Sequence, residues 1–571
     1  MGNISRKNQS PTSTSLRRFT VGALPLIDRI AKRMKLREIL AAFIPGHGND
    51  LVSPSDTLLL LIYNLAIGKS PLYELDQWCA GMDLQRIGIA LQKSKPGIFN
   101  DDRFGKALDK LFDADRASLM TSLVTSYVSA FDVDLKEIHN DSTTVKAFGR
   151  MEGRTVTGFE LKKGHSKDHR PDLKQLVYTL TISADGGVPI HHHCYPGNYT
   201  DDKTHVDTWK IIRKITGRND FLYVADTKVC TDGQLYSIVD KNGGRVITII
   251  PETWAEVGQF KKELRRAPKA KSIIWRRFKP NSETETEYFS VFKGTYTTTK
   301  RSYRIHWIYS SEKRKRDRIA REASLEKAEE ELNALNARLN TRKLKTPREI
   351  LCATDEILVR CGIKNLLKTE LLAKVQKSRR QQGKGRPSKE TVYTTFTNTV
   401  YTIAWHRDRE AIAQEARLDG IFPLLSTDAS LKAVEVLKAY KYQPRLEKRF
   451  SQFKSIHNAA PLLFKKIERI EANMFAFFIA LALQALLERE IRANMNIEQV
   501  EKLYIYPEDR ECKRPTTSII FDRFSQLSRY VVSGKNSPDT NFQDQLSQAQ
   551  IEILEILKMS CDDYWLTDRL N

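Results

Sequence analysis

The sequence has few cysteines, and none of them is arranged as a metal-binding pair. Its seven cysteines are scattered along the chain, and no two of them form a C-x-x-C motif. Secreted disulfide scaffolds and structural zinc sites depend on paired or closely spaced cysteines. We therefore expect a protein of a reducing compartment without a zinc centre.

Features that would direct the chain to a membrane are also scarce. The opening residues, 1–19, lack an apolar signal region, and Arg6 stands where a myristoylation signal needs Ser or Thr. The most apolar run, MFAFFIALALQALL at 474–487, is shorter than a bilayer span and predicts a buried helix. We expect a soluble cytoplasmic protein that makes no membrane contact.

Negative charge is in short supply relative to positive charge. The chain has 93 Lys and Arg against 70 Asp and Glu, a formal net charge of +23. A surplus of this size favours a polyanionic partner, most commonly nucleic acid. With 571 residues, of which 40% are hydrophobic, the chain is long enough for several folded domains.

Changes in hydrophobic periodicity predict an α/β protein of several parts. The parts are a mobile N-terminus at 1–18, a helical N-terminal domain at 19–130, the first part of an α/β core at 131–250, a β-rich and helical insertion at 251–427, the last part of the core at 428–530 and a C-terminal tail at 531–571. Within the insertion we expect three antiparallel strands, a long charged helix at 312–343 and a basic linker at 377–390.

The first part of the core predicts a mixed sheet. Apolar runs and the turn at 185–187 indicate the order strand, two hairpin strands, helix, strand, helix, strand. The first strand, in DLKEIHND, leads into Asp141, and the fourth, in FLYVADT, ends at Asp226. By analogy with other folds we place these two strands side by side, which would bring the two carboxylates together. An ordinary polar turn is the alternative for Asn-Asp-Ser.

A third carboxylate lies in a helical segment at 428–457. Pro444 is expected to divide this segment into two helices. In the second helix, Glu447 and Lys454 are seven residues apart and share a face, with Phe450 and Phe453 beside them to pack on the sheet. A single helical Glu is ordinarily solvated, so the interest of Glu447 depends on the two Asp residues.

Together, Asp141, Asp226 and Glu447 form an oxygen-only donor set. Hard divalent cations such as Mg²⁺ or Mn²⁺ prefer such ligands. Two such ions about 4 Å apart can activate an attacking oxygen and stabilise a leaving one in phosphodiester displacement. The negative charge of a nucleic acid substrate matches the basic chain.

At these residues the sequence resembles bacterial insertion-sequence transposases of the DDE class, in the branch with a β-rich insertion before the catalytic Glu. Asp141 in NDSTT and Asp226 in VADT match the two Asp residues. YKYQPRLEKRFSQFK resembles the Tyr-Arg-Glu-Lys signature, with Tyr440, Glu447 and Lys454 in place. Gln443 stands at the usual Arg position, and Arg445 or Arg449 could replace that Arg. The segments GHSKDHRPDLKQL and YPGNYTDD also resemble family landmarks.

The resemblance implies a ribonuclease-H-like core that uses two Mg²⁺ or Mn²⁺ ions. It implies cleavage of one DNA strand at each element end, followed by attack of the freed 3′-hydroxyl on target DNA. The partners would be double-stranded DNA, as terminal inverted repeats and target, and a second copy of the chain in a homodimer or higher assembly. The alternatives are a related nuclease without strand transfer and a non-catalytic DNA-binding regulator derived from a transposase. Loss of a carboxylate would mark the regulator, and all three carboxylates are present.

Further basic residues are candidate DNA contacts. The segment 164–176 could hold phosphates near the cleaved bond, or it could be a solvated loop. The segment 383–389 is similar to a minor-groove hook, although a flexible linker fits equally. Strand alternation leaves only two residues of His191–His193 on one face, which argues against a metal site. The candidate DNA contacts are Tyr440, Arg445, Lys454, Lys167, Arg170, Lys174, Lys384 and Arg386.

Overall fold

A computed structural model of the chain shows two compact units, formed by Met1–Thr248 with Lys438–Asn571 and by Ile249–Leu437. Each unit combines helices with a sheet, so the protein is a mixed α/β protein. The structure describes residues 15–68, 70–89, 97–147, 160–164, 173–199, 204–279, 283–341, 343–382, 384–387, 389, 391–456, 466–506, 508, 510–534 and 537–565.

Helices dominate the start of the first unit, as their apolar periodicity predicts. Side chains of Ser53, Asn100 and Asp115 cap the third, fifth and sixth helices by accepting hydrogen bonds from backbone N–H groups of the first turn. After one short strand, β1 (Ser15–Thr20), the helices are α1 (Leu24–Arg33), α2 (Leu36–Phe43), α3 (Pro54–Tyr63), α4 (Leu75–Gly81), α5 (Asp101–Asp113) and α6 (Arg116–Phe131).

A five-stranded sheet follows in the predicted order of elements. Its strands are β2 (Glu137–Ala147), β3 (Lys174–Ser183), β4 (Pro189–Pro196), β5 (Leu222–Val224) and β6 (Arg245–Ile249), with helices α7 (His205–Thr216) and α8 (Asp232–Leu235) on either side of β5 in the chain. The spatial order is β4-β3-β2-β5-β6. The β3–β4 hairpin turns at Gly186 and Gly187, which both have positive φ. The predicted adjacency of the first and fourth strands is confirmed, because β2 pairs with β5 in parallel.

The second unit begins with a helix and antiparallel strands. It contains α9 (Ala255–Arg266), β7 (Lys271–Phe278), β8 (Glu285–Phe292), β9 (Tyr296–Thr297), β10 (Arg304–Ser310), α10 (Ser311–Asn336), α11 (Pro347–Arg360), β11 (Leu367–Gln381), β12 (Tyr393–Arg407), α12 (Arg409–Glu415) and β13 (Ile421–Ser426). The strands pair in the order β13-β10-β8-β7, with β9 beside β10, so the three predicted antiparallel strands are confirmed.

The rest of the second unit differs from the expectation in two ways. The charged helix α10 ends at Asn336 rather than near 343, and it is not solvated all round, because Leu325, Leu332 and other residues of one stripe are buried against α11. The predicted basic linker is partly a strand. Residues 377–381 belong to β11, which pairs with β12 over fifteen residues as a two-stranded ribbon.

The chain then returns to the first unit. Its remaining elements are α13 (Ala433–Tyr440, which begins before the boundary), α14 (Gln443–Ser451), α15 (Ile467–Ile497), α16 (Thr517–Phe524), β14 (Ser528–Gly534), β15 (Ser537–Gln543), α17 (Gln548–Ile556) and α18 (Cys561–Trp565). The predicted break at Pro444 is confirmed, since this residue lies in the first turn of α14. A π-helical segment, Gln452–Ile456, extends α14.

The apolar run at 474–487 is part of a longer helix than we predicted. Helix α15 has 31 residues and is long and apolar enough to cross a membrane, but 94% of its most apolar 18-residue window is buried inside the protein. It packs against α1, α3, α5 and β4. Burial on all sides explains why its sequence is apolar all round.

Both ends of the described chain are more ordered than the sequence suggests. Strand β1 begins at Ser15, inside the segment expected to be mobile, and pairs with β14. The segment expected to be a C-terminal tail contains β15, α17 and α18, with buried Leu557 and Tyr564. Long-range strand pairing and packing stabilise these pieces, and neither is visible in local periodicity.

Candidate active site

Strand β2 places Asp141 next to the strand that precedes Asp226. The parallel register pairs His139 with Val224, so Asp141 and Asp226 each lie two residues beyond the last paired residues. Asp141 remains in β2 opposite Leu180 of β3. Its side chain is half-buried, and its Oδ1 accepts a hydrogen bond from the N–H of Ser142 at 2.7 Å.

Asp226 is positioned by the turn that ends β5. Its side chain caps a 3₁₀ turn at Thr227–Val229 and accepts a hydrogen bond from the N–H of Lys228 at 3.0 Å. Its carbonyl oxygen accepts a hydrogen bond from the Thr248 hydroxyl at 2.6 Å. These bonds fix the backbone at the end of the strand and leave the Asp226 side chain 40% exposed.

Glu447 projects from α14 into solvent. Helix α14 is held against the sheet by buried residues, among which are Leu446 and Phe450. The Phe453 ring, in the π-helical extension, stacks on Tyr178 of β3 with centroids 4.6 Å apart. The predicted packing of this helix on the sheet is confirmed, and it leaves Glu447 on the exposed side.

The pKa of Tyr440 depends on all three of these carboxylates. Burial raises the pKa of its phenol, and the negative charges of Asp226, Asp141 and Glu447 raise that pKa further, in this order. The three carboxylates, one within β2, one at the end of β5 and one on α14, therefore lie near enough to the Tyr440 phenol to act on its pKa.

The structure adds one polar residue, His205, that the sequence did not single out. Its Nδ1 lies 3.4 Å from the Asn140 amide nitrogen and 3.1 Å from the Tyr223 hydroxyl, and the Thr181 hydroxyl donates to the Asn140 Oδ1 at 2.8 Å. With Nδ1 as the acceptor, a neutral ring carries its proton on Nε2. This atom lies 3.5 Å from Asp226 Oδ1. A polar side chain at the start of α7 gives no sequence signal for this contact.

Metal-binding geometry is not preformed in the described part of the chain. Among these residues, no three or more His, Cys, Asp or Glu side chains are grouped as ligands. His191 and His192 are buried on β4, and burial lowers the pKa of His191 to about 3. The His192 ring packs against Tyr178 and Phe478. These two histidines are neutral core residues.

A basic cleft of about 370 Å³ lies beside α14. Its charged lining consists of Arg445, Lys448, Arg449, Arg492, Arg514 and the single carboxylate Glu488. Burial lowers the pKa of Arg514, and the neighbouring Arg445 lowers it further. The cations are thus held close together with little compensating negative charge.

The two candidates for the missing signature Arg have different environments. Arg449 is buried and donates hydrogen bonds to the carbonyl oxygens of Gly187 and Gly186, both at 3.1 Å, and its Nη2 lies 3.2 Å from Glu488. Arg445 is half-buried and its guanidinium lies over the Tyr442 ring at 4.8 Å. Gln443, at the usual Arg position, donates to the Asn140 carbonyl at 3.4 Å. Arg449 is thus engaged in the fold, whereas Arg445 faces the cleft.

The remaining predicted DNA contacts are dispersed. Lys174 is exposed at the start of β3, and Lys454 is half-buried after α14. Lys384 and Arg386 are exposed between β11 and β12, in the second unit. Lys167 and Arg170 lie outside the described residues.

Comparisons with known proteins match the N-terminal part of the chain to a family model and most of the chain to a solved structure. A family model described as "Domain of unknown function (DUF4277)" matches residues 17–125, which contain helices α1–α5 and most of α6. No curated protein matches. Among solved structures, a cryo-EM structure of piggyBac transposase in a synaptic complex with hairpin DNA is similar over 84% of this chain and 78% of its own, with 8% identity and a TM-score of 0.33. A TM-score this low does not define a common fold.

Proposed function

We propose that this protein is a DDE transposase that cuts DNA at insertion-sequence ends and transfers the freed 3′-hydroxyl to target DNA. The arrangement around Tyr440 supports this proposal most directly. Asp141, Asp226 and Glu447 come from parts of the chain separated by 85 and 221 residues, and all three carboxylates raise the pKa of the same phenol. Such a convergence of acidic groups is costly unless it serves binding or catalysis.

The donor set suits the proposed cofactor, two Mg²⁺ or Mn²⁺ ions. The three side chains offer only carboxylate oxygens, and no described basic residue forms an ion pair with Glu447. Binding of the ions would require Asp141 to turn away from the Ser142 N–H, since the described carboxylates are not grouped as ligands. When bound, the ions would supply charge stabilisation at the reacting phosphate.

The chain's own residues would orient the site. His205 places its Nε2 3.5 Å from Asp226 Oδ1 and would help to orient that carboxylate. Tyr440 places a hydroxyl among the three acids, within reach of a bound phosphodiester. We also propose that the five-stranded sheet is a ribonuclease-H-like core, with the unit Ile249–Leu437 as the insertion between Asp226 and Glu447.

The basic cleft would hold DNA beside the reacting strand. Arg445 and Lys448 flank Glu447 on α14 and line this cleft together with Arg514. Guanidinium and ammonium groups hold phosphates without reading sequence, so this cleft would position the duplex. Tyr440, Lys174 and Lys454 would add contacts to DNA near the carboxylates, and Lys167 and Arg170 belong to the same proposal.

Two further parts of the proposal concern assembly and location. A homodimer or higher assembly would bring two inverted-repeat ends together for paired cleavage. The protein would act in the cytoplasm on nucleoid DNA, in keeping with its net charge of +23.

Cleavage of the DNA that flanks the gene tests the function. With Mg²⁺ or Mn²⁺, the purified protein should nick a linear fragment at the element end and join that end to a second DNA. Asp141→Asn removes one anionic ligand at nearly constant volume, so cleavage should fall by a factor of about 10² or more while DNA binding persists. Asp226→Asn and Glu447→Gln should behave in the same way.

Other outcomes would select the alternatives. Metal-dependent cleavage without joining would identify a nuclease, and tight binding without cleavage would identify a regulator. Cleavage by folded Asp141→Asn protein at the wild-type rate would remove this residue from the site.

A further inference from the structure

Among the residues that the structure describes, the buried contacts of the ribbon formed by β11 and β12 lie at its base. Leu367 and Ile403 are buried in the core formed with α10 and α11. The Asn336 side chain of α10 exchanges hydrogen bonds with the backbone N–H and carbonyl of Ile403, both at 2.8 Å, and Asn340 does the same with Tyr401. Arg407 pairs with Glu329 at 2.8 Å. The last turns of α10 therefore clamp one end of the ribbon.

From Leu372, which pairs with Thr402, to Arg380, the side chains of β11 are exposed on both faces of the ribbon. The distal ten pairs run from Leu372↔Thr402 to Gln381↔Tyr393. All described β11 side chains from 372 to 380 are exposed, including Val375 at 58%, and so is Phe396 of β12 at 51%. A two-stranded hairpin with neither face packed is only marginally stable in water, so an extension of this length calls for a partner.

The charge of the ribbon identifies the partner chemistry. From Leu371 to Ile403 the sequence has seven Lys or Arg residues and one acidic residue, Glu390. The strand register puts Lys374 and Arg380 on one face of β11 and Lys377 and Arg379 on the other. Cations on both faces fit a partner that presents negative charge on two sides.

We propose that the distal half of this ribbon lies in the major groove of duplex DNA. The groove is about 12 Å wide and accommodates a two-stranded ribbon, with phosphates along both walls. Ten residues of strand extend about 34 Å, which is close to one helical turn of the duplex. Exposed Val375 and Phe396 lie on opposite faces of the ribbon, so either face can offer an apolar contact to thymine methyl groups on the groove floor.

This inference rests on the proposed function, in which DNA is the partner. It assigns to the ribbon a DNA contact that is separate from the carboxylate site. The predicted contacts Lys384 and Arg386 lie beyond the two strands and would extend the same surface. The competing explanation is that the Lys and Arg residues only keep an exposed ribbon from pairing with other chains. In that case they protect solubility and contribute nothing to DNA binding.

Binding measurements on the full chain separate these explanations. The probe is a fluorescent duplex of mixed sequence about four helical turns long, and the protein carries Asp141→Asn so that cleavage does not interfere. The test variant replaces Lys374, Lys377, Arg379 and Arg380 with Gln. Affinity should fall at least tenfold, and the slope of log K against log salt should decrease by about two to four, because each lost phosphate contact removes about one counterion.

A matched control removes the same charge from the same unit. The exposed cations Arg316, Arg318, Lys327 and Arg338, on or just after α10, are replaced with Gln. This control should bind nearly as the parent does. A second ribbon variant exchanges Lys for Arg and Arg for Lys at the four ribbon positions and should also bind normally, which would show that the positive charge of these positions, and not the particular side chains, carries the contact.

Footprinting identifies the groove. Bound parent protein should protect guanine N7 atoms, which face the major groove, from methylation, and the Gln variant should lose that protection. Equal affinity of the Gln variant and the control, or unprotected N7 atoms under bound parent protein, would overturn the inference. If the parent itself binds no duplex DNA, the proposed function fails as well, and this result is distinct from the first two.

Discussion

The carboxylate site of the first unit and the ribbon of the second distribute their charges in opposite ways. In the first, acidic side chains are brought together at the edge of a sheet, and the Tyr440 phenol among them has a raised pKa. In the second, cations are spread along strands with both faces in water. Closely spaced charges shift the pKa of a neighbouring group, whereas charges spread along an exposed ribbon do not.

This difference separates two kinds of function. Chemistry at one phosphate needs groups held within a few ångströms by a rigid core, and the sheet supplies that support. Attraction to a long polyanion needs only many cations at suitable spacing, which a ribbon can carry without a core. Loss of one side chain should therefore be severe in the first unit and gradual in the second.

The largest expected effect tests this separation directly. At saturating DNA, Asp141→Asn should lower cleavage by a factor of about 10² or more, while the four Gln substitutions of the ribbon, made in the wild-type chain, should leave cleavage near the wild-type rate. At limiting DNA, only the ribbon variant should bind less. Single-turnover cleavage at both DNA concentrations measures this. A ribbon variant that stayed inactive at saturating DNA would show that the two regions are not separable.

The next effect concerns two arginines of α14. Arg449→Met should lower the free energy of unfolding by about 3 kcal/mol, because it removes a buried partner of Glu488 and two hydrogen bonds to the β3–β4 turn. Arg445→Met should change stability by less than about 1 kcal/mol and should weaken DNA binding instead. Urea unfolding and duplex titration of both variants provide the comparison, and equal destabilisation would contradict it.

A smaller effect is expected in the basic cleft. Lys448→Gln combined with Arg514→Gln should reduce the salt slope of DNA binding by about two, with cleavage at saturating DNA little changed. The matched variant Lys214→Gln with Lys241→Gln changes two exposed lysines outside the cleft. If both pairs weaken binding equally, the cleft has no special role beyond its charge.

The same contrast explains what could be predicted from the sequence. Apolar runs predicted strands β5 and β6 and the order of the elements, whereas the pairing of β2 with β5, which places Asp141 near Asp226, was predicted by analogy with other folds. Pro444 predicted the break that orients α14. In contrast, β11 is exposed on both faces, has no alternation and was taken for a linker in its basic part.

Other features depend on contacts between distant parts of the chain. His205 approaches Asp226 through tertiary packing, and Arg449 is buried because Gly186 and Gly187 come to it from the β3–β4 turn. Strand β1 exists only through its pairing with β14. Local periodicity contains no information on these pairings. The residue types therefore predicted which side chains could carry the chemistry, but not the contacts that hold them in place.

The smallest expected effect concerns His192 of β4, whose ring packs among aromatic side chains. Both ring nitrogens of His192 are buried without a hydrogen-bond partner, and burial, with smaller effects from His191, His193 and Arg116, holds the pKa of His192 well below its usual value. The unfolded chain binds a proton at this residue near pH 6.5 and the folded chain does not, so stability is lost as the pH falls below about 6.5.

His192→Phe should therefore stabilise the protein by about 1 kcal/mol at pH 7.5, because it removes two unsatisfied polar atoms from a site lined by Phe475 and Phe478. The gain should grow by up to about 1.4 kcal/mol for each pH unit below 6.5. His191, with its pKa of about 3, will retain part of the acid sensitivity. Urea unfolding at pH 7.5 and pH 5 measures the difference, with the exposed His47→Gln as control. An unchanged pH dependence in His192→Phe would mean that this ring gains a proton in the folded state, and that the core under the carboxylate site is wetter than its packing indicates.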